Sequence, residues 1–294
     1  MTRTRTTGTH PLDHLVLPTQ NLDTARARLA ALGFIVAPTG VHPFGTENCC
    51  VFLSDGTYLE PLAVGDEHAA MAAIANGNVF VARDRTYRDS RGDEGFSALV
   101  LGTDSADSDH ARYAEAGISA GEILSFSRAF ADPSGKSDIA SFKLAFAAND
   151  TQADAFLFAC ERVNAPKVDR TALQAHANGA EGMVEIIAVS DAPATQSRLV
   201  SIATGAVEQS GTIFHLPNAT LTLLDPEAFE ARFGLATGMP SKFRFAAIVF
   251  SVRSIDALSR LLAANAINHD IRGNGIIVRP APGQGAAFVF QETR

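Results

Sequence analysis

The sequence predicts an α+β fold of four tandem βαβββ modules, assembled as two paired, curved-sheet half-barrels. Three observations predict it. A strand followed by a helix and then by further strands recurs four times, with first strands beginning near His14, Ala98, Val184 and Ala247, at spacings of 84, 86 and 63 residues. The opening strands share a shape, HLVLPT against ALVLGT. A polar stretch interrupted by Pro166 and Gly179 separates the second repeat from the third. Internal repetition restricts the architecture more than any single motif does. One module leaves a face of its small sheet open, so modules pair. The first pairs with the second or, alternatively, with the fourth. The domains expected are 1–163, a linker at 164–181, and 182–294.

The elements follow in order. DHLVLP (13–18) reads as a strand rich in Val and Leu. Asn21 or Asp23 caps the next helix by accepting from its free N–H groups. Leu22, Ala25, Leu29 and Leu32 recur at helical spacing, and Gly33 ends that helix. Phe34 to Ala37, CCVFL and TYLEPLAV read as strands, the last two joined by a turn containing Asp-Gly. Residues 66–92 predict a helix and then a polar loop. The second module is FSALVLGT, a helix over 108–117, ILSFSRAF, a turn at DPSGKSD, SFKLAFAAN and AFLFACERV. The third runs from GMVEIIAVSDAP through the helix TQSRLVSIATG to AVEQS, TIFHL and ATLTLLD, with PEAFEARFG as a helix or loop. The fourth is FRFAAIVFSV, the helix SIDALSRLLAANAI, then HDIRG, GIIVRP and AAFVFQE.

Bulk properties exclude several classes. The 294 residues bury ample apolar surface without disulfides. A net charge of −8 repels phosphate backbones and anionic lipid, so neither nucleic acid nor membrane is an expected partner. Cys49, Cys50 and Cys160 form no Cys-x-x-Cys pair and read as buried thiols of a reducing compartment. The N-terminus lacks the apolar core of a signal peptide, and no apolar run reaches the ~18–20 residues of a membrane span. A cytoplasmic chain with a small-molecule ligand is the expectation; a homodimer is left open.

The phrases DHLVL…NLDTARARLAALGF, HPFGTEN, DGTYLEPLAV and HANGA resemble the glyoxalase-like domain family of the vicinal oxygen chelate superfamily. That superfamily includes glyoxalases, bleomycin-resistance proteins and extradiol dioxygenases. The resemblance implies a divalent metal (Zn, Ni, Fe or Mn) held by His or Glu from the first and last strands of paired modules. The metal then chelates adjacent oxygens of a small substrate for lyase, isomerase or dioxygenase chemistry. His14 and Glu60 match the first-strand and last-strand ligand positions. His42, Thr46, Asn48 and His176 are the expected ligand-binding residues, and no catalytic residue is assigned.

The other modules do not complete that set. Alignment puts Ala98 and Phe158, then Val184 in the third module, and Ala247 and Val289 in the fourth at the matching positions. Glu185 lies one residue out of register, which on a strand means the opposite face. The second function expected is therefore metal-free small-molecule binding or resistance in the same cavity. On an apolar strand, His14 reads equally well as a buried, hydrogen-bonded histidine. Glu60 needs a partner wherever it is buried.

Overall fold

A computed structural model of the chain describes residues 8–131, 137–149, 155–166, 168–209, 212–236 and 243–292. The first module contains β1 (Leu12–Pro18), α1 (Leu22–Ala31), β2 (Gly40–Val41), β3 (Thr46–Asn48), β4 (Val51–Phe52) and β5 (Tyr58–Val64). Two helices follow, α2 (Glu67–Ala75) and α3 (Val79–Arg91). The second module contains β6 (Ala98–Thr103), α4 (Ala106–Glu115), β7 (Leu124–Ala131), β8 (Ser137–Ala147) and β9 (Phe156–Asn164). The third contains β10 (Ala180–Val189), α5 (Pro193–Thr204), β11 (Glu208–Gln209), β12 (Ile213–His215) and β13 (Thr220–Leu224), and is followed by α6 (Pro226–Phe233). The fourth contains β14 (Arg244–Val252), α7 (Ile255–Ala264), β15 (Asp270–Arg272), β16 (Gly275–Val278) and β17 (Ala287–Glu292).

The strands form two sheets of matching design. The N-terminal sheet runs β2-β3-β5-β1-β6-β9-β8-β7, with β4 also on β5, and the C-terminal sheet runs β11-β12-β13-β10-β14-β17-β16-β15. In each module the first and last strands are parallel neighbours: β1 with β5, β6 with β9, β10 with β13, β14 with β17. The two halves of each sheet meet through antiparallel first strands, β1 on β6 and β10 on β14. The first module thus pairs with the second and the third with the fourth, giving the two half-barrels.

Local chemistry explains the module helices. The Asn21 side chain accepts from the Thr24 N–H at 2.8 Å, and Ser105 and Ser254 cap α4 and α7 in the same way. Leu22, Ala25 and Leu29 give α1 its buried face. Odd-numbered residues of the central N-terminal strands (Leu15, Leu17, Leu99, Leu101) face the helices. They join Leu29, Tyr113, Leu199, Leu258, Phe250 and Phe288 in one continuous core, which unites the helix-side faces of both sheets. Val16, Ala98, Val100, Phe156 and Phe158 face the other way, into the concave side of the N-terminal sheet. There they meet Phe80 and Val81 of α3.

Three expectations need correction. Residues 34–37 are not a strand: Phe34 and Ala37 are buried, but only isolated backbone bonds, such as Ala37 N–H to Cys50 C=O at 2.8 Å, tie the segment down. The polar loop after α2 is instead the helix α3. Its N-terminus is capped by Asn78, which accepts from the Val81 N–H, and Phe80, Val81 and Tyr87 anchor one face under a polar exterior. In the third module Glu185, not Val184, holds the His14 position. His14, Ala98, Glu185 and Ala247 each precede the first residue of their helix (Leu22, Ala106, Pro193, Ile255) by eight residues. A β-bulge between Met183 and Glu185 turns Val184 outward, 39% exposed. The turn expected at DPSGKSD falls largely at 132–136, outside the described residues.

The three cysteines are buried free thiols. Burial pushes the Cys49 thiol up to about 11 and drives Cys50 and Cys160 higher still. No helix among the described residues is long and apolar enough to cross a membrane.

Candidate functional site

Parallel pairing of β1 with β5 sets His14 beside Tyr58 and Val16 beside Glu60. Because side chains alternate along a strand, His14 and Glu60 share the concave face. They meet: His14 Nε2 lies 3.3 Å from Glu60 Oε2, and both residues are buried. The ring of His14 stacks on Tyr58, with centroids 4.3 Å apart and planes within 12°. Phe158 closes its other side edge-on at 5.9 Å.

The other nitrogen of His14 is held by a neighbour in the chain. Adjacent strand residues ordinarily point to opposite faces. Here the β1–β6 register slips between Leu12 and His14, and that irregularity lets the Asp13 carboxylate reach His14 Nδ1 at 2.6 Å. Arg162, near the end of β9, grips both Asp13 oxygens, at 2.7 Å on Oδ1 and as a close ion pair on Oδ2. Arg162, Asp13, His14 and Glu60 thus form a line of groups of alternating charge.

The β2–β3 hairpin supplies the rest. The His42 N–H donates to the Thr46 carbonyl at 2.9 Å, and Gly45 makes the turn at φ +88°. A Cβ at Gly45 would stand 2.5 Å from both Ala70 N and Asp66 O, so the hairpin packs on the start of α2 only because this residue has no side chain. Thr46 Oγ1 bonds to His42 Nδ1 at 2.9 Å. The Asn48 amide donates to Glu60 Oε1 at 2.6 Å and lies 3.4 Å from His42 Nε2, which is itself 3.7 Å from Glu60 Oε1. Phe44 stacks on the His42 ring, and Phe80 and Phe126 meet it edge-on.

These contacts set the protonation states. Burial alone would favour neutral Glu60, but the hydrogen bond and charge of His14 overcome it and hold the carboxyl at about 2. Asp13, buried beside His14 and Arg162, also falls to about 2. Burial opposes charge on His14 too, yet Asp13 and Glu60 prevail and raise its pKa. Burial dominates at His42 and depresses it to about 4. The cluster thus favours the charged form of His14, set between two carboxylates, and holds a neutral imidazole at His42 at neutral pH.

Of the residues singled out in the sequence, His14, His42, Thr46, Asn48 and Glu60 come together. His176 stands apart. It accepts from the Ile35 N–H at 3.0 Å and donates to the Phe52 carbonyl at 2.9 Å, pinning the segment before β10 to the first module. Both its ring nitrogens are occupied by backbone. Asp13, Tyr58 and Arg162 were missed. For Asp13 the Asp-His pair was visible, but strand alternation argued against contact.

The donor set does not fit a metal centre shared by two modules. Ala98 and Phe158 hold the second module's positions and offer no donor. The two imidazoles address different oxygens of Glu60, with the Asn48 amide on one of them. Among the described residues no three His, Cys, Asp or Glu side chains are grouped to hold a metal ion. In the C-terminal half-barrel the matching positions are Glu185 and Thr222, hydrogen-bonded at 2.7 Å. Arg232 of α6 locks Glu185 through contacts of 2.9 and 2.5 Å.

Comparison with known proteins matches this architecture. A hypothetical protein from Staphylococcus aureus aligns over 96% of this chain and 99% of its own, at 12% identity and a TM-score of 0.64. A mutant 4-hydroxymandelate synthase from Streptomyces coelicolor aligns over 97% and 92%, at 13% identity and 0.59. A Mn(II)-bound glyoxalase from Novosphingobium aromaticivorans aligns over 97% and 82%, at 10% identity and 0.51. At such identities the likeness shows the fold alone. No sequence match was found among curated proteins. The sequence profile of the Glyoxalase-like domain spans residues 12–203, most of the chain, and so the chain belongs to the Glyoxalase-like domain family.

Proposed function

We propose that the chain is a proton-transferring enzyme of isomerase or lyase type, acting on a small molecule with adjacent oxygens at the Asp13–His14–Glu60 line. The observation that carries this reading is His14, with one ring nitrogen on each of two carboxylates. Asp13 orients the ring and stabilises its positive form. The proton on Nε2 faces the place where a substrate oxygen would displace Glu60. Glu60, ionised, is the base for a proton on the neighbouring carbon. The two steps assist each other. When His14 gives its proton to the substrate oxygen, the cation that depresses Glu60 is lost, and burial then strengthens the carboxylate as a base. One proton leaves carbon and one reaches oxygen, so the tautomerisation balances without a further reactant.

The test is exchange of carbon-bound hydrogen in D2O, followed by proton NMR on a panel of α-hydroxyketones and 2-oxo acids, with metal content measured in parallel. Wild type is expected to exchange at least one compound, to keep doing so after chelator treatment, and to carry substoichiometric metal. Glu60→Gln and His14→Ala should each slow exchange roughly 10²–10⁴-fold. Stoichiometric metal that disappears in the His14→Ala, Glu60→Ala double variant would replace the metal-free mechanism with a metal-dependent one. Binding without turnover is the second reading. It is favoured by Phe44, Phe80, Phe126 and Phe158, which crowd the two imidazoles as apolar walls for a sequestered ligand. Tight binding with no exchange by wild type would select it.

A further inference from the structure

The first module supplies the imidazoles, the carboxylates and the amide of the cluster; the second module adds Arg162 on Asp13 and, at the rim, a further cation, Arg128. Arg128 lies on β7, on the same strand face as Leu124 and Phe126, and its guanidinium sits 6.0 Å from the centre of the Phe142 ring. It has no carboxylate within ion-pair distance among the described residues. Arg85, Arg88, Arg112, Arg162, Arg232 and Arg279 all have one. In a chain with 32 acidic and 24 basic residues, a half-buried guanidinium left out of such pairs is conspicuous.

Its position adds a second observation. A Cβ built at Gly40 would stand 2.5 Å from Asn48 Oδ1 and 2.7 Å from Arg128 Nη1. The absence of a side chain at Gly40 therefore lets the Asn48 amide, already bound to Glu60, and the Arg128 guanidinium both close on the β2 backbone, which sets Arg128 beside the cluster. Phe126, the neighbour of Arg128 on that strand face, touches the His42 and Phe44 rings at 6.0 and 5.1 Å. The positive charge of Arg128 is also felt at His42 and at Cys50, the residue that follows Cys49 at the end of the hairpin. A cation and an aromatic wall thus converge on one side of the cluster.

We propose that Arg128 is the specificity-determining residue of the N-terminal site, pairing the carboxylate of a small organic acid whose apolar or aromatic body lies against Phe126 and Phe44. The inference rests on the N-terminal cluster being the ligand site, but not on its performing proton transfer. A guanidinium offers a fork of N–H donors to a carboxylate, and the surrounding rings keep the local dielectric low, which strengthens the pair.

The experiment is calorimetric titration of the full chain with phenylacetate, benzoate and 3-phenylpropionate, each against its neutral amide. At least one acid is expected to bind the wild type roughly tenfold or more tightly than its amide, and that preference should weaken with added salt. Arg128→Gln should abolish the preference, with acid affinity falling to that of the amide, and Arg128→Lys should restore part of it. Circular dichroism melts should be alike for wild type and both variants, because Arg128 holds no carboxylate among the described residues. The proposal is overturned if no acid outcompetes its amide, or if Arg128→Gln keeps the preference. Glu60→Gln separates the two ideas. Lost exchange chemistry with retained, Arg128-dependent acid preference sustains this inference, whereas absent exchange in the wild type defeats only the proton-transfer reading.

Discussion

The two half-barrels share strand order and pairing, yet they treat a buried carboxylate in opposite ways. In the N-terminal half Glu60 lies beneath the His14 imidazole, an amide and a second imidazole, and is 6% exposed. In the C-terminal half Glu185 is capped by the Arg232 guanidinium of α6 and by Thr222, in reach of solvent. The first arrangement keeps a proton between groups that can trade it. The second ties the carboxylate to a guanidinium that never gives its proton up. The same scaffold thus holds a titratable centre on one side and a fixed ion pair on the other.

Removing each carboxylate gives the widest separation. Glu60→Ala strips the buried His14 of one of its two carboxylate partners, and urea unfolding is expected to show a cost of about 3–5 kcal/mol. Glu185→Ala releases Arg232 to water, and about 1 kcal/mol is expected. Equal costs would mean that the two sites are energetically the same.

Acid should divide the halves next. His42 has a folded pKa of about 4, well below its ordinary value, so between those two limits the unfolded chain binds more protons. The stability that its neutral form contributes is therefore complete above about pH 6.5 and declines as pH falls toward 4, by up to about 3 kcal/mol. Glu60 and Asp13 add a further loss only below their unfolded values, toward pH 2. His42→Gln should flatten the upper part of that profile. A variant with an unchanged slope between pH 6.5 and 4 would place the buried neutral histidine elsewhere.

The last effect concerns His176, outside the cluster. His176→Ala strips partners from the Ile35 N–H and the Phe52 carbonyl, and a loss of about 1–3 kcal/mol is expected in unfolding experiments. Ligand affinity at the N-terminal cluster should stay as in wild type. A change in affinity without a change in stability would return His176 to the site.

Much of this was readable in the chain. The repeat of strand and helix implied the paired modules, and the positions of His14 and Glu60 within their strands implied a shared face. The apolar partners Ala98 and Phe158 followed from the same alignment. What escaped had physical causes. Asp13 was hidden by a strand irregularity that breaks side-chain alternation, and Glu185 by a bulge that shifts the count by one. The helix α3 was hidden because two of its buried residues, Arg83 and Asp84, are charged, which breaks the apolar period. His176 sits in a family-like phrase, HANGA, whose role here is to fasten backbone. Arg128 carries no motif, since a cation without a carboxylate among the described residues is visible only once its neighbours are placed.

The continuous core that joins the helix-side faces of both sheets has a consequence for cooperativity. Leu29 and Tyr113 from one half pack in the same cluster as Leu199, Leu258 and Phe288 from the other. Arg112 donates to the Ile202 carbonyl, Arg28 to Gln284, and Asn218 exchanges bonds with the backbone of Leu12. Neither sheet can shed its helices without exposing the other's apolar face. Melting should therefore be a single event for the whole chain. A small molecule seated against His14 would raise the melting temperature of the distant C-terminal sheet by as much as that of the sheet it touches.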